Sequence, residues 1–217
     1  RESYEQHVVL VDACEQALSR GSTGVGRVTR APGAAPAAVL AARVAPLLRG
    51  LLAEPSGDED TPFRRLVCDW RAGEETLAFC EAPGAAALAA TGPLTPDHVI
   101  RTKATPLFVA APAWESEDAL RAQLVAAVDG YRRAYDAYFE ENQRAKGVSR
   151  TKLDSAPRVV LLPGAGAFCF GRTAKDAAIA GDITEHTLRT KARAQALGRY
   201  EALPASDLFD MEYWSLE

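Results

Sequence analysis

The sequence predicts an α/β fold: a three-layer α/β/α sandwich whose central sheet is mixed or antiparallel. Three observations carry that expectation. Short apolar runs of strand length alternate with helical patterns along the chain, as they do when helices cover a sheet. The segment 158–162 (RVVLL) is β-branched and apolar, the signature of a strand buried on both faces. The link Pro163-Gly164-Ala165-Gly166 that follows is short enough only for a hairpin, so at least one strand pair runs antiparallel.

Composition bounds the rest. The 217 residues are 47% apolar and 25% charged, ordinary for a chain that buries a core. A net charge of −4 leaves no basic footprint for nucleic acid. No uninterrupted apolar run reaches the roughly 18 residues of a membrane span. Cys14, Cys68, Cys80 and Cys169 are scattered among apolar neighbours without a C-x-x-C pair. They read as small buried thiols in a reducing, cytoplasmic compartment. The chain opens at Arg1, without Met, directly in a helical pattern, a start that reads as trimming or proteolysis.

In chain order, Tyr4, His7, Val8, Val11, Cys14 and Leu18 recur at helical spacing, and Gly21 ends that helix. Residues 21–36 form a flexible Gly/Pro connection. Pro36 opens a second helix, in which Pro46 predicts a kink or break for want of an N–H. EPSGDEDTP (54–62) is an acidic surface turn. Residues 63–71 (FRRLVCDWR) read as a strand, with a helix end as the alternative. Residues 74–81 form a short amphipathic segment, and GAAALAATG (84–92) a short helix. Pro106 introduces an apolar strand over residues 107–111.

Ser116 is an N-cap followed by Glu117 and Asp118 in the favourable first turn. The long helix behind it carries one stripe: Leu120, Leu124, Val128, Tyr131, Tyr135 and Tyr138. The polar stretch 140–156 reads as a loop. Thr173 and Asp176 form a capping box for the last long helix, closed by Gly198. In the acidic tail, Phe209, Tyr213 and Trp214 are expected to dock on the body.

Residues 159–173 (VVLLPGAGAFCFGRT) tempt a dinucleotide reading, but Cys169 stands where the third glycine belongs and Phe168 and Phe170 alternate as in a strand. His7, His98 and His186 form no H-x-H, H-x-x-x-H or H-E-x-x-H spacing, so no two are committed to one metal. His7 and His186 read as polar-boundary residues on helices. No nucleophile elbow and no Tyr-x-x-x-Lys pair is present. The most ligand-like cluster is TPDHVIRTK (95–103), where His98, Arg101 and Lys103 could hold a phosphate or carboxylate. The plainer reading, favoured because charge runs usually face water, is a turn in which Asp97 caps a helix and the cations are solvated.

Three stretches, TPDHVIRTK (95–103), PRVVLLPGAGAFCFGRTAKDAAIAGDITEHT (157–187) and YEALPASDLFDMEYWSLE (200–217), resemble the middle region of bifunctional rhamnulose-phosphate aldolase/short-chain dehydrogenase proteins. Those proteins join a class II aldolase/adducin-like part to an NAD-dependent dehydrogenase part. The resemblance implies a half-site of two histidines before a Pro-Asp and a third before a Gly. Here Pro96-Asp97 matches the Pro-Asp, which puts Pro93 and Thr95 at the first two ligand positions. Pro163-Gly164 matches the third with Pro163. None of the three supplies an imidazole, so the copy is expected to be degenerate and metal-free.

The resemblance further divides the chain. Residues 1–55 would be the C-terminal helical part of an upstream aldolase-like unit, whose zinc-binding His-Gly turn lies before Arg1. Residues 56–203 would be the degenerate module and 204–217 a connector to a dehydrogenase domain. Zinc and NAD are then expected only in the other parts of the parent, with no cofactor in this piece. Its partners would be the flanking aldolase and dehydrogenase domains and further copies in a homo-oligomer, with no nucleic acid and no membrane. The implied role is to link and position the catalytic parts. The alternative is a working sugar-phosphate or aldolase site built on His98, Arg101 and Lys103.

Overall fold

The computed structural model describes residues 2–21 and 35–214. The expected connection at 21–36 therefore falls mostly outside the described residues. Helix α1 (Glu2–Gly21) forms where the periodicity placed it. Its stripe is not buried, however: Tyr4, Val8, Val11 and Cys14 are exposed, and α1 meets the body along a later helix, α7 (Ala174–Leu197). Helix α2 (Ala37–Leu51) runs through Pro46 to its end. The expected break is absent because Leu40, Ala41, Val44 and Leu48 are all buried against the core, and tertiary packing outweighs one lost hydrogen bond.

The acidic turn closes a two-stranded ladder, β1 (Glu54–Pro55) against β2 (Phe63–Arg64). Asp58 shapes it by accepting from the Asp60 N–H and the Thr61 hydroxyl. The single strand expected over 63–71 is thus two, the second being β3 (Val67–Arg71). Helices α3 (Glu74–Glu81) and α4 (Ala85–Ala89) follow. A 3-10 turn (Pro96–His98) then leads into α5 (Val99–Thr102). Strand β4 holds only Leu107–Phe108, shorter than expected. Ala111 has φ 45°, which turns the chain away, and the Gln123 side chain bonds Ala110 O, Ala111 O and the Ala113 N–H.

Helix α6 (Glu117–Lys146) starts at Ser116, whose hydroxyl accepts from the Ala119 N–H. It takes in the first residues of the stretch read as a loop, 140–146, while 147–156 carry no regular structure, as expected. Phe139 and Asn142 extend the buried stripe past Tyr138, and Gly147 (φ 64°) ends the helix with its N–H on Gln143 O and Arg144 O.

Strands β5 (Val159–Leu162) and β6 (Gly166–Gly171) form the expected hairpin, with Leu162 opposite Gly166. β6 pairs antiparallel with β3, and β5 parallel with β4, giving a mixed sheet of order β3-β6-β5-β4. Side-chain alternation sorts the two strands cleanly. Val160, Leu162, Phe168 and Phe170 face α2 and α6, while Val159, Leu161, Ala167 and Cys169 face α3, α4 and α7.

The Thr173–Asp176 capping box opens α7: the Thr173 hydroxyl accepts from the Asp176 N–H at 3.1 Å. The tail folds back as α8 (Ala205–Glu212), stacking Phe209 and Tyr213 on Phe139. Trp214, expected to dock with them, is 64% exposed. Cys80 and Cys169 are buried as expected and Cys68 partly so, but Cys14 is exposed on α1.

Candidate functional site

The segment 93–106 lies where α5, α6, α7 and α8 meet. Thr95, in extended conformation, precedes the 3-10 turn. α5 then lasts one turn because Lys103 adopts φ 61°, ψ 175°, a region that is nearly glycine-only. Strain of this kind persists only where the surroundings hold it, and Lys103 is held on several sides. Its side chain is 4% exposed, and its Nζ donates to Asp154 O and lies 3.4 Å from the centroid of the Tyr135 ring.

Around that cation stands a polar cluster from α6 and α8. Tyr135 Oη donates to Glu212 Oε1 at 2.8 Å and lies 2.7 Å from Tyr213 Oη. With its proton on Glu212, Tyr135 accepts from Tyr213, whose oxygen takes the Leu153 N–H. Asp154 is locked by Arg158. Burial pulls the Lys103 ammonium down to about 8, against the opposing carboxylates of Glu212 and Asp154. Burial likewise pushes Glu212 above the ordinary carboxylate range, against hydrogen bonding from Tyr135 and the charge of Lys103. Glu212 Oε2 and Tyr138 Oη face each other without good hydrogen-bond geometry. A lysine near 8 could act as a base, but this one is clamped between a carbonyl and a ring rather than presented to a substrate. Beside the cluster lies a cavity of about 300 Å³, walled by Tyr131, Tyr135 and Tyr138 on one side and Leu203 and Leu208 on the other.

The three residues expected to converge on a ligand do not. Arg101 is exposed and pairs with Asp176 at 3.2 Å. Lys103 turns inward to Tyr135 and Asp154. His98 is half-buried, with Nδ1 unpartnered among the described residues. Of the three positions where a metal site would stand, Pro93 lines a second, smaller cavity, but Thr95 and Pro163 line neither of these two cavities. Thr95 is exposed, and Pro163 sits at the far end of β5 from Val159, which lines the smaller one. Among the described residues no three of His, Cys, Asp and Glu gather as a metal would require. No described helix is long and apolar enough to cross a membrane.

Sequence reading missed Tyr135, Asp154, Glu212 and Tyr213 as one cluster. Their only signal was the aromatic stripe of the long helix and the aromatic tail, both of which read as packing.

The scaffold also matches a known family. The model described as aldolase class II, second domain, matches residues 39–217. The chain belongs to that family. Helix α1 precedes the matched region of this class II aldolase second domain. A curated relative, "Uncharacterized oxidoreductase YuxG" of Bacillus subtilis (strain 168), is 27% identical over 177 residues, which are 81% of this chain and 24% of the relative. The chain thus spans only about a quarter of that relative with its matched residues. No solved structure matches.

The buried groups of the domain make its alkaline stability predictable. Burial pushes the thiols of Cys68 up to about 11 and of Cys80 and Cys169 up to about 12. It also raises the phenols of Tyr131, Tyr135 and Tyr138. In the unfolded chain these groups deprotonate near pH ~8.5 and ~10. The folded state therefore holds more protons there, and stability falls as pH rises above about 8.5. Lys103 and Lys191, both pulled down to about 8 by burial, act oppositely between about 8 and 10.4; they offset the thiols up to about pH 9, and the thiols and phenols prevail above it. Urea midpoints should therefore change little between about pH 7.5 and about pH 9 and then fall between about pH 9 and about pH 10.5. A midpoint that rose across that range would refute the assignment.

Proposed function

We propose that this domain is a metal-free, aldolase-like module of a fused aldolase/oxidoreductase, which links and positions the catalytic parts. Its helices on both sheet faces are read as a three-layer α/β/α sandwich. The parent would be a bifunctional rhamnulose-phosphate aldolase/short-chain dehydrogenase, with zinc and NAD held in the flanking parts and the whole a cytoplasmic homo-oligomer. Support comes from the family match, from the oxidoreductase name of the relative, and from that relative's length, of which the matched 177 residues are 24%.

The observation that carries the reading is the fate of the two cations most suited to a sugar phosphate. Arg101 is neutralised by Asp176, and Lys103 is consumed by Asp154, Tyr135 and the Glu212 charge. With Pro93, Thr95 and Pro163 offering no imidazole, neither the phosphate nor the metal of an aldolase site has its ligands in the expected places.

Elemental analysis of the purified domain tests it, with zinc expected far below stoichiometric after dialysis against zinc-containing buffer. One tightly held zinc per chain would overturn the proposal. Arg101→Ala removes only an exposed ion pair and should cost under about 1 kcal/mol in urea unfolding. A loss of sugar-phosphate binding in calorimetry on that substitution would instead restore the catalytic alternative.

A further inference from the structure

We propose that the smaller cavity, between α4, α5 and α7, binds a small oxyanion with the Lys191 ammonium as its counter-charge. The cavity measures about 30 Å³. One water needs roughly 10–15 Å³ of such space, so the hollow is on the scale of two waters, which suits a small oxyanion better than a sugar. Its polar walls are Thr102, Lys103, Thr184, Thr187 and Lys191, and no carboxylate lines it.

Lys191 is the reason to expect an anion. It is 2% exposed, yet its Nζ donates only to two carbonyls, Thr91 O at 2.9 Å and Leu88 O at 3.3 Å. The Tyr200 ring centroid lies 5.2 Å away. An ammonium has three donors, and carbonyls bring no net charge to balance it. Taking such an ion out of water without a counter-ion costs several kcal/mol. Lys103, buried to the same degree, has Glu212 and Asp154 to balance it. For Lys191 burial is the one influence on its proton affinity, and no neighbouring carboxylate opposes it.

Other donors border the same space. Thr187 lies one helical turn before Lys191 on the same face, and its hydroxyl has no partner among the described residues. At the opposite wall the strained Lys103 turns the chain, and the Ala104 N–H that follows bonds no backbone carbonyl. An uncompensated cation, an uncommitted hydroxyl and a free amide around a hollow better suited to a small ion than to a sugar are the parts of an oxyanion site.

The competing explanation is that Lys191 only caps the carbonyls at the end of α4. Calorimetric titration separates the two, using inorganic phosphate and, separately, acetate at constant ionic strength against a chloride control. The proposal expects saturable binding of at least one, weakened at least tenfold by Lys191→Met and severalfold by Thr187→Val, with circular dichroism unchanged for the latter. The stronger of the two ligands then identifies the chemistry as phosphate or carboxylate. Absence of saturable binding to the unmodified domain overturns it. So does unchanged affinity in Thr187→Val, which decides the matter alone if Lys191→Met does not fold. The result is independent of zinc content, so it can fail while the scaffold reading stands.

Discussion

Gly166→Ala should abolish folding or cost more than about 4 kcal/mol, a loss reserved for gross steric or strain defects. Gly166 has φ 94°, and a Cβ there would stand 2.4 Å from Arg71 O and 3.2 Å from Ala72 Cα. Both atoms belong to backbone, so no side chain can swing aside. β6 would have to leave β3, breaking the ladder that pairs Arg71 with Ala167. Gly147→Ala is the control, because that position has a similar φ of 64° but open space around it. It should cost only about 1–2 kcal/mol of backbone strain. Urea unfolding followed by far-ultraviolet circular dichroism reads both. Equal losses at the two positions would show that the close approach of β6 to β3 is wrong.

Lys103→Ala should cost about 3–5 kcal/mol, the range seen when one member of a buried charged group is removed. It strips the donor from Asp154 O, the cation from the face of Tyr135 and the nearest compensation from Glu212. Lys103→Gly removes the same groups but is at ease at φ 61°. It should therefore be the more stable variant, by about 1–2 kcal/mol, as release of backbone strain requires. Few positions favour glycine over alanine so clearly, because glycine ordinarily loses more entropy on folding. A Gly variant no more stable than the Ala variant would remove strain from the account of this site.

Sequence legibility followed the range of the interactions. The Thr173 capping box, the Ser116 cap, the doubly buried β5 and the β5–β6 hairpin were readable because each depends on residues a few positions apart. Pro46 and residues 140–146 differ from expectation for the converse reason. Both are helical because buried neighbours on other elements hold them there. The cluster His98, Arg101 and Lys103 was found as a polar run, but a run does not say where side chains point. One residue at φ 61° sends Lys103 into the core while Arg101 stays with α7.

From local order alone the chain specified alternating strands and helices, their caps, the hairpin and the want of imidazole at Pro93, Thr95 and Pro163. Only the assembled structure placed Glu212 and Tyr213 against Tyr135, some 77 residues away, and left Lys191 buried without a counter-charge. The physical reason is that caps and turns are satisfied by neighbouring backbone groups, whereas the balance of buried charge is settled between elements that meet only when the core closes.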